Sequence, residues 1–279
     1  MNASSATVSR TLVGRVLWYL PVGLIVLFFA FPLIWMVMTA LKQPVDVFSS
    51  PPKFVFAPTL DNYKRVLSSD YMGTVGNSIV VAVVSAAFSI VLGTLTAYGF
   101  SRYTLRGQDN LLFWILSLRM LPVIAVIFPY FLLFQRIGLT DTLLALMLVY
   151  SIFNISFTVW LLKGFFDEVP REMEEAAKMD GYGPWGVFQR VALPLVVPGI
   201  ATAAVFNIVQ SVNEFLLAFV LTQREATTAP VALLNFLTPL GLDWGGISAA
   251  STMLVLPVAV FAVLVRKHLI RGMSFGQLE

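Results

Sequence analysis

The feature that most limits how this chain can fold is a series of long apolar runs. From Val16 to Leu41 there is no charged residue, and similar runs recur near 76–99, 111–134, 142–163, 195–221 and 247–265. A window of about 19 such residues matches the roughly 30 Å of hydrocarbon in a bilayer. Inside hydrocarbon every backbone polar group needs a partner within the protein, which leaves helices or a closed barrel. Alternating strand-like segments are few here, so the sequence predicts an all-α fold, a bundle of about six transmembrane helices in one domain over residues 1–279.

Composition supports the bilayer as solvent. Hydrophobic residues make up 58% of the chain and charged ones 12%, against roughly 25% charged in an average soluble domain. The net charge is +3, with basic residues scattered beside the apolar runs. That pattern lacks the basic stripe of a nucleic-acid binder, so no nucleic-acid partner is expected. There is no cysteine, and the one histidine is His268, so thiolate and multi-histidine metal sites are excluded. The first run is too long for the apolar core of a signal peptide and is read as a retained span. Pro21 and Pro32 inside it are compatible with a membrane helix.

An even number of spans places both termini on one side. That side collects Arg10, Arg15, Arg102, Arg106, Lys163, Arg171, Lys178, Arg190, Arg266, Lys267 and Arg271, whereas the other holds Lys42, Lys53, Lys64, Arg65, Arg136 and Arg224. The positive-inside rule then predicts cytoplasmic termini. It also makes the segment at about 164–193 the largest and most charged cytoplasmic loop.

Within that loop Pro170 suits the start of a helix, Glu172, Glu174 and Glu175 suit its positive end, and Gly181 suits its stop. Ala176 and Ala177 are small enough to admit another protein's backbone, and Glu175 offers a carboxylate to a basic partner. The same features also fit a solvated amphipathic helix at the membrane surface. Spacing separates the readings: Glu175-Ala176-Ala177, then Gly181 four positions on, then Val191 and Leu193-Pro194. This arrangement resembles the signature loop of the permease subunits of binding-protein-dependent ABC importers, with Val191 where that family usually has isoleucine. Arg119-Met120-Leu121-Pro122, Trp160 to Phe166 with Val169-Pro170, Asn213-Glu214-Phe215 and Arg271-Gly272-Met273 look like the shorter, six-span permease of the maltose type. Val212 departs from the tryptophan often found there.

The resemblance implies a bacterial inner-membrane protein that moves a sugar or sugar-like solute inward by alternating access. It implies a heterodimer with a second permease subunit, two cytoplasmic ATPase subunits and an extracytoplasmic solute-binding protein. The chain lacks a Gly-Lys pair and hence a P-loop, so ATP and Mg are expected on the partner ATPase and no cofactor or catalysis on this chain. Glu175, Ala176, Ala177, Gly181, Leu193 and Pro194 are the expected coupling residues. The tail from Arg271 to Glu279 is a further candidate to reach the ATPases, and the outer loop from Thr222 to Gly246 to meet the binding protein.

Arg119 and Glu214 are the charges lying well inside predicted spans, and such residues usually face a bundle interior or a wet cavity. With Asn213 they are candidates for the translocation pathway, weighed against packing through interhelical hydrogen bonds. If the spans were straight, the two charges would differ in depth by about 16 Å at 1.5 Å per residue, too far for contact. An ion-gradient-driven secondary transporter is the alternative function, although Glu214 alone offers an intramembrane carboxylate.

Overall fold

A computed structural model describes residues 12–239 and 241–274, with side chains from 19 to 265. The expected contact of the tail from Arg271 to Glu279 lies outside the described side chains. The main helices are α1 (Leu12–Ala40), α2 (Asp61–Leu67), α3 (Tyr71–Arg102), α4 (Gln108–Met120), α5 (Val123–Arg136), α6 (Leu143–Glu168), α7 (Arg171–Met179), α8 (Val197–Asn213), α9 (Leu216–Leu221) and α10 (Trp244–Ser274). Four of them, α1, α3, α6 and α10, contain stretches long and apolar enough to cross a membrane. Two bent pairs bring the possible spans to six: α4 with α5 at 94°, and Pro184–Leu195 with α8 at 71°.

The 71° bend falls at Val196 (φ −95°, ψ 4°), at the head of the span expected at 195–221. Two helix breaks inside the spans expected at 111–134 and 195–221 correct the expectation that these are straight. The first break falls at Leu121-Pro122, where Leu121 is extended (φ −68°, ψ 122°). Proline disfavours helical backbone in the residue before it and supplies no N–H to the next turn. The second falls at Glu214, also extended (φ −70°, ψ 120°), and no proline causes it. Polar side chains do: Asn213 Nδ2 donates to the carbonyl of Val209 at 2.8 Å, and Glu214 Oε1 accepts from the N–H of Leu217 at 2.9 Å. Such bonds satisfy one helix end and cap the next.

The bundle centres on α3 against α6. At Gly93 an added Cβ would sit 2.6 Å from Thr158 Cγ2, so the absence of a side chain is what lets these helices meet. Ala97, one turn on, is fully buried. A seam of hydroxyl and amide groups continues the contact toward α8. Asn154 Nδ2 donates to Ser211 Oγ at 2.9 Å, Asn207 Nδ2 to Thr158 Oγ1 at 2.9 Å, and Ser89 Oγ to the carbonyl of Ser151 at 3.2 Å. Interhelical hydrogen bonds of this kind hold helices together where lipid supplies no hydrophobic drive.

The face away from α7 is bound by loop contacts. Asp141 adopts φ 57°, and its carboxylate accepts from the N–H groups of Gln223, Arg224, Glu225 and Ala226 at 2.9–3.1 Å. Asn77 Nδ2 donates to the carbonyls of Glu225 and Thr227 at 3.1 and 3.0 Å. Arg65 pairs with Asp243 at 2.9 Å. Residues 222–239 and 241–246 are therefore a cap held by these bonds, with Leu237–Thr238 paired to Gly241–Leu242.

Partial burial pushes the Asp141 carboxyl up, but the four backbone donors outweigh it and hold the group below its ordinary value of 3.8. A depressed folded value means stabilisation that is complete above the unfolded value and fades as pH falls through the folded one. Asp141→Asn is expected to lower thermal stability at pH 7 by about 1.5–3 kcal/mol, the worth of hydrogen bonds to a charged group. Melting curves of the two proteins are expected to converge as the pH drops from about 5 to below 3.8.

Candidate functional site

Two features gather the singled-out residues, one at the C-terminal end of α6 and one beside its middle. At its C-terminal end, α7 crosses beneath the bundle. Pro170 is the residue before the first turn (φ −58°, ψ 130°) rather than inside it. Gly181 ends the turn with φ +90°; its N–H donates to the carbonyl of Lys178 at 3.0 Å, and that of Tyr182 to Ala177 at 3.1 Å. This pair of bonds is a Schellman stop, and the positive φ is what calls for glycine.

The residue that anchors α7 is Glu174, which sequence reasoning passed over in favour of Glu175. Glu174 is 4% exposed. Its Oε1 pairs with Arg102 Nε at 2.6 Å, and its Oε2 accepts from Tyr98 Oη at 3.0 Å. Arg102 also donates to Ser101 Oγ at 2.9 Å and to the carbonyl of Val169 at 2.9 Å. Ser101 Oγ donates to Asp167 Oδ1 at 2.6 Å, and Lys163 Nζ meets Asp167 Oδ2 at 2.6 Å. A continuous polar clamp thus ties α7 to the ends of α3 and α6. The signal in the sequence was the three-residue spacing from Glu174 to Ala177, which puts both on one helix face.

Ala177, 6% exposed, faces this same interior, so it is packed within the chain and does not share the outer surface with Ala176 as expected. Glu175 and Ala176 are exposed. Beyond Gly183 the segment Pro184–Leu195 is helical with a π turn at Phe188–Ala192. Leu193 packs against the inner cluster of Ala97, Leu162 and Phe166, and Pro194 is exposed. Leu193-Pro194 therefore lies inside a helical segment, one residue before the 71° bend, and not simply at the entry to a straight span. A widened turn just before a proline relieves the clash of its ring with the preceding turn.

The second feature is a cleft of about 240 Å³ beside the middle of α6, lined by Arg119, Leu121, Val123, Tyr150, Phe153, Asn154, Gln210, Ser211, Glu214 and Leu217. Arg119 and Glu214 share it, so the depth gap deduced from straight helices does not hold; the breaks at Pro122 and Glu214 turn both charges into one space. They are not an ion pair among the described residues. The Arg119 guanidinium lies over the Phe157 ring at 4.6 Å, a cation–π contact, and one Glu214 oxygen caps α9. Asn213 does not line the cleft; it is exposed and bonded to its own helix. Asn154, Gln210 and Tyr150 do line it, and the buried Tyr150 hydroxyl has no hydrogen-bond partner among the described residues. Uncharged polar residues in apolar runs give a faint sequence signal, which is why these were missed.

Residues 89–275 match the family described as the inner membrane component of binding-protein-dependent transport systems. A probable ABC transporter permease of Sinorhizobium fredii is 37% identical over 278 residues, covering 99% of this chain and all of the relative. A trehalose transport system permease of Mycobacterium tuberculosis is 31% identical over 94% of this chain and 97% of its own length. A diacetylchitobiose uptake permease of Streptomyces coelicolor is 30% identical over 97% of this chain and 99% of its own. A chain in the crystal structure of a bacterial ABC transporter involved in import of the acidic polysaccharide alginate superposes with a TM-score of 0.73 at 22% identity, over 96% of this chain and 100% of that one. With its helical bundle, its signature loop on an anchored helix and this match over most of its length, the chain belongs to the permease family of binding-protein-dependent ABC importers.

Proposed function

We propose that this multi-pass inner-membrane subunit forms half of a sugar pathway, and that α7 takes the stroke of a cytoplasmic ATPase and passes it to the cleft. The observation that carries this reading is the division of labour on one helix. Glu174 is locked inward onto α3 and α6, while Glu175 and Ala176 one step round face outward. A helix held this way moves with its bundle, and rigid-body motion of packed helices is how such proteins alternate access. From Asn154 at the cleft to Asp167 at the clamp, α6 is continuous, a lever of about 20 Å at 1.5 Å per residue.

In this reading Glu175 contacts a basic group of the ATPase, Ala176 allows close approach, and Gly181, Leu193 and Pro194 set the shape of the loop that enters the ATPase cleft. Both termini and α7 are cytoplasmic. Two ATPase subunits hold ATP and Mg, and a second permease closes the cleft into a cavity in a heterodimer. The cap at 222–246 meets an extracytoplasmic binding protein. A family defined by dependence on binding proteins favours this over an ion-gradient-driven carrier. A sugar is favoured by the trehalose and diacetylchitobiose transport of the relatives and by the amide, hydroxyl and charged groups lining the cleft, which suit the many donors and acceptors of a saccharide.

Vesicles containing the chain with its candidate partners test this. Glu175→Ala is expected to weaken ATPase binding and to cut ATP-dependent uptake by roughly tenfold, the equivalent of 1.4 kcal/mol in a charge-assisted contact. Glu174→Gln leaves the outer surface intact, so ATPase binding is expected to persist while solute moved per ATP hydrolysed falls. Arg102→Gln leaves the Glu174 carboxylate buried without a counter-charge, with only the Tyr98 hydroxyl beside it, and an expected stability loss of about 3–5 kcal/mol read from thermal unfolding in detergent. Glu214→Gln keeps the acceptor that caps α9, so it is expected to assemble normally and to slow uptake. Uptake by this chain alone under an ion gradient would overturn the whole reading.

A further inference from the structure

Lys42 is 2% exposed and heads the fully buried side chains by volume among the described residues. It follows α1 by two residues, yet its side chain folds back along that helix. The ammonium lies 4.3 Å from the ring centre of Trp35 and 5.3 Å from that of Phe56. A lysine at the end of a membrane helix ordinarily extends to water, and this one turns the other way. Among the described residues it has no carboxylate within ion-pair distance. The acidic groups of the neighbouring loops are committed elsewhere: Asp46 to Lys53 at 2.6 Å, Asp61 to Lys64 at 3.6 Å and Asp243 to Arg65 at 2.9 Å.

Lys42 lines a cavity of about 370 Å³ between the ends of α1 and α10, walled by Pro32, Trp35, Met36, Phe48 and Trp244, and Trp35, the ring beneath its ammonium, is part of that wall. Pro32, Trp35 and Met36 fall at helical spacing on one stripe of α1, and the cavity runs down that stripe from Lys42. The lining is largely aliphatic and aromatic, with Thr39 and Ser248 as the other polar residues. Beside it the α1 surface is bare and apolar, with Phe28, Phe29 and Leu33 exposed. A cation at the head of an apolar channel, level with two tryptophans, matches an amphiphile at the membrane interface.

We propose that this cavity binds a membrane phospholipid, its phosphate diester against the Lys42 ammonium and its glycerol and acyl chain along the Pro32–Met36 stripe. The site is distinct from the cleft and from α7, and does not depend on the solute. A soluble anion would gain from the lysine but nothing from the walls, whereas a phospholipid gains from both.

The test uses the chain assembled with its partner subunits in phosphatidylcholine vesicles carrying a small fraction of phosphatidylglycerol with a photoreactive group beside the headgroup. Labelling followed by peptide mapping is expected to mark the region around Trp35 to Phe48 and Trp244. Lys42→Arg is expected to keep the label, and Lys42→Met, similar in length but uncharged, to lose about fivefold, the worth of one lysine near an anionic lipid. On the unmodified protein, unlabelled phosphatidylglycerol is expected to compete and diacylglycerol of the same chains to fail. Equal labelling of Lys42→Met, equal competition by diacylglycerol, or displacement by soluble glycerol phosphate overturns the proposal. So does a zero-length carbodiimide cross-link from Lys42 to a carboxylate of another subunit, which would make the cavity an intersubunit contact.

Discussion

The arrangement of this protein depends on the pair formed by Glu174 and Arg102, 2.6 Å apart with side chains only 5% and 8% exposed. Two opposite charges withdrawn from water cost several kcal/mol each, so a buried pair is a weak source of net stability. Its consequence is geometric. Each charge needs the other, and Tyr98 and the carbonyl of Val169 fill the remaining positions around them. A helix of nine residues would be marginal alone; fixed by this pair, α7 has one orientation relative to α3 and α6. The outward bearing of Glu175 follows from the inward bearing of Glu174.

The middle of the bundle obeys a different constraint. Gly93 against Thr158 and the amide and hydroxyl seam from Ser89 to Asn207 keep α3, α6 and α8 in fixed contact. Around this rigid centre the chain is broken rather than bent smoothly. Pro122 breaks one span by removing a donor; Asn213 and Glu214 break another by supplying side-chain bonds in place of backbone ones. Both breaks border the cleft, where irregular backbone is tolerated because it faces a cavity and not lipid.

The helical class, the positions of the spans and the helix ending at Gly181 were legible in the sequence, since run length, proline and glycine act locally. Those signals report on neighbours along the chain. What they did not disclose were facts of orientation. The buried face of α7 is decided by Arg102, some seventy residues earlier, and the meeting of Arg119 with Glu214 by the helix breaks at Leu121-Pro122 and Glu214, whose geometry no local pattern encodes. Lys42 was counted as a positive charge in a loop, and nothing nearby in sequence except Trp35 hints that it turns inward. Asn154 and Gln210 were hidden for a related reason: an uncharged amide in an apolar run looks the same whether it faces a neighbouring helix or a cleft.

The nearly bare surface of α1 has a consequence for how the molecule is made. None of its most apolar stretch is buried inside the chain, and its main neighbour is α10, at the opposite end of the sequence. Helices that insert independently can wait in the bilayer before they associate. The contact that holds α1 to the rest of the bundle therefore forms only once α10 is in place.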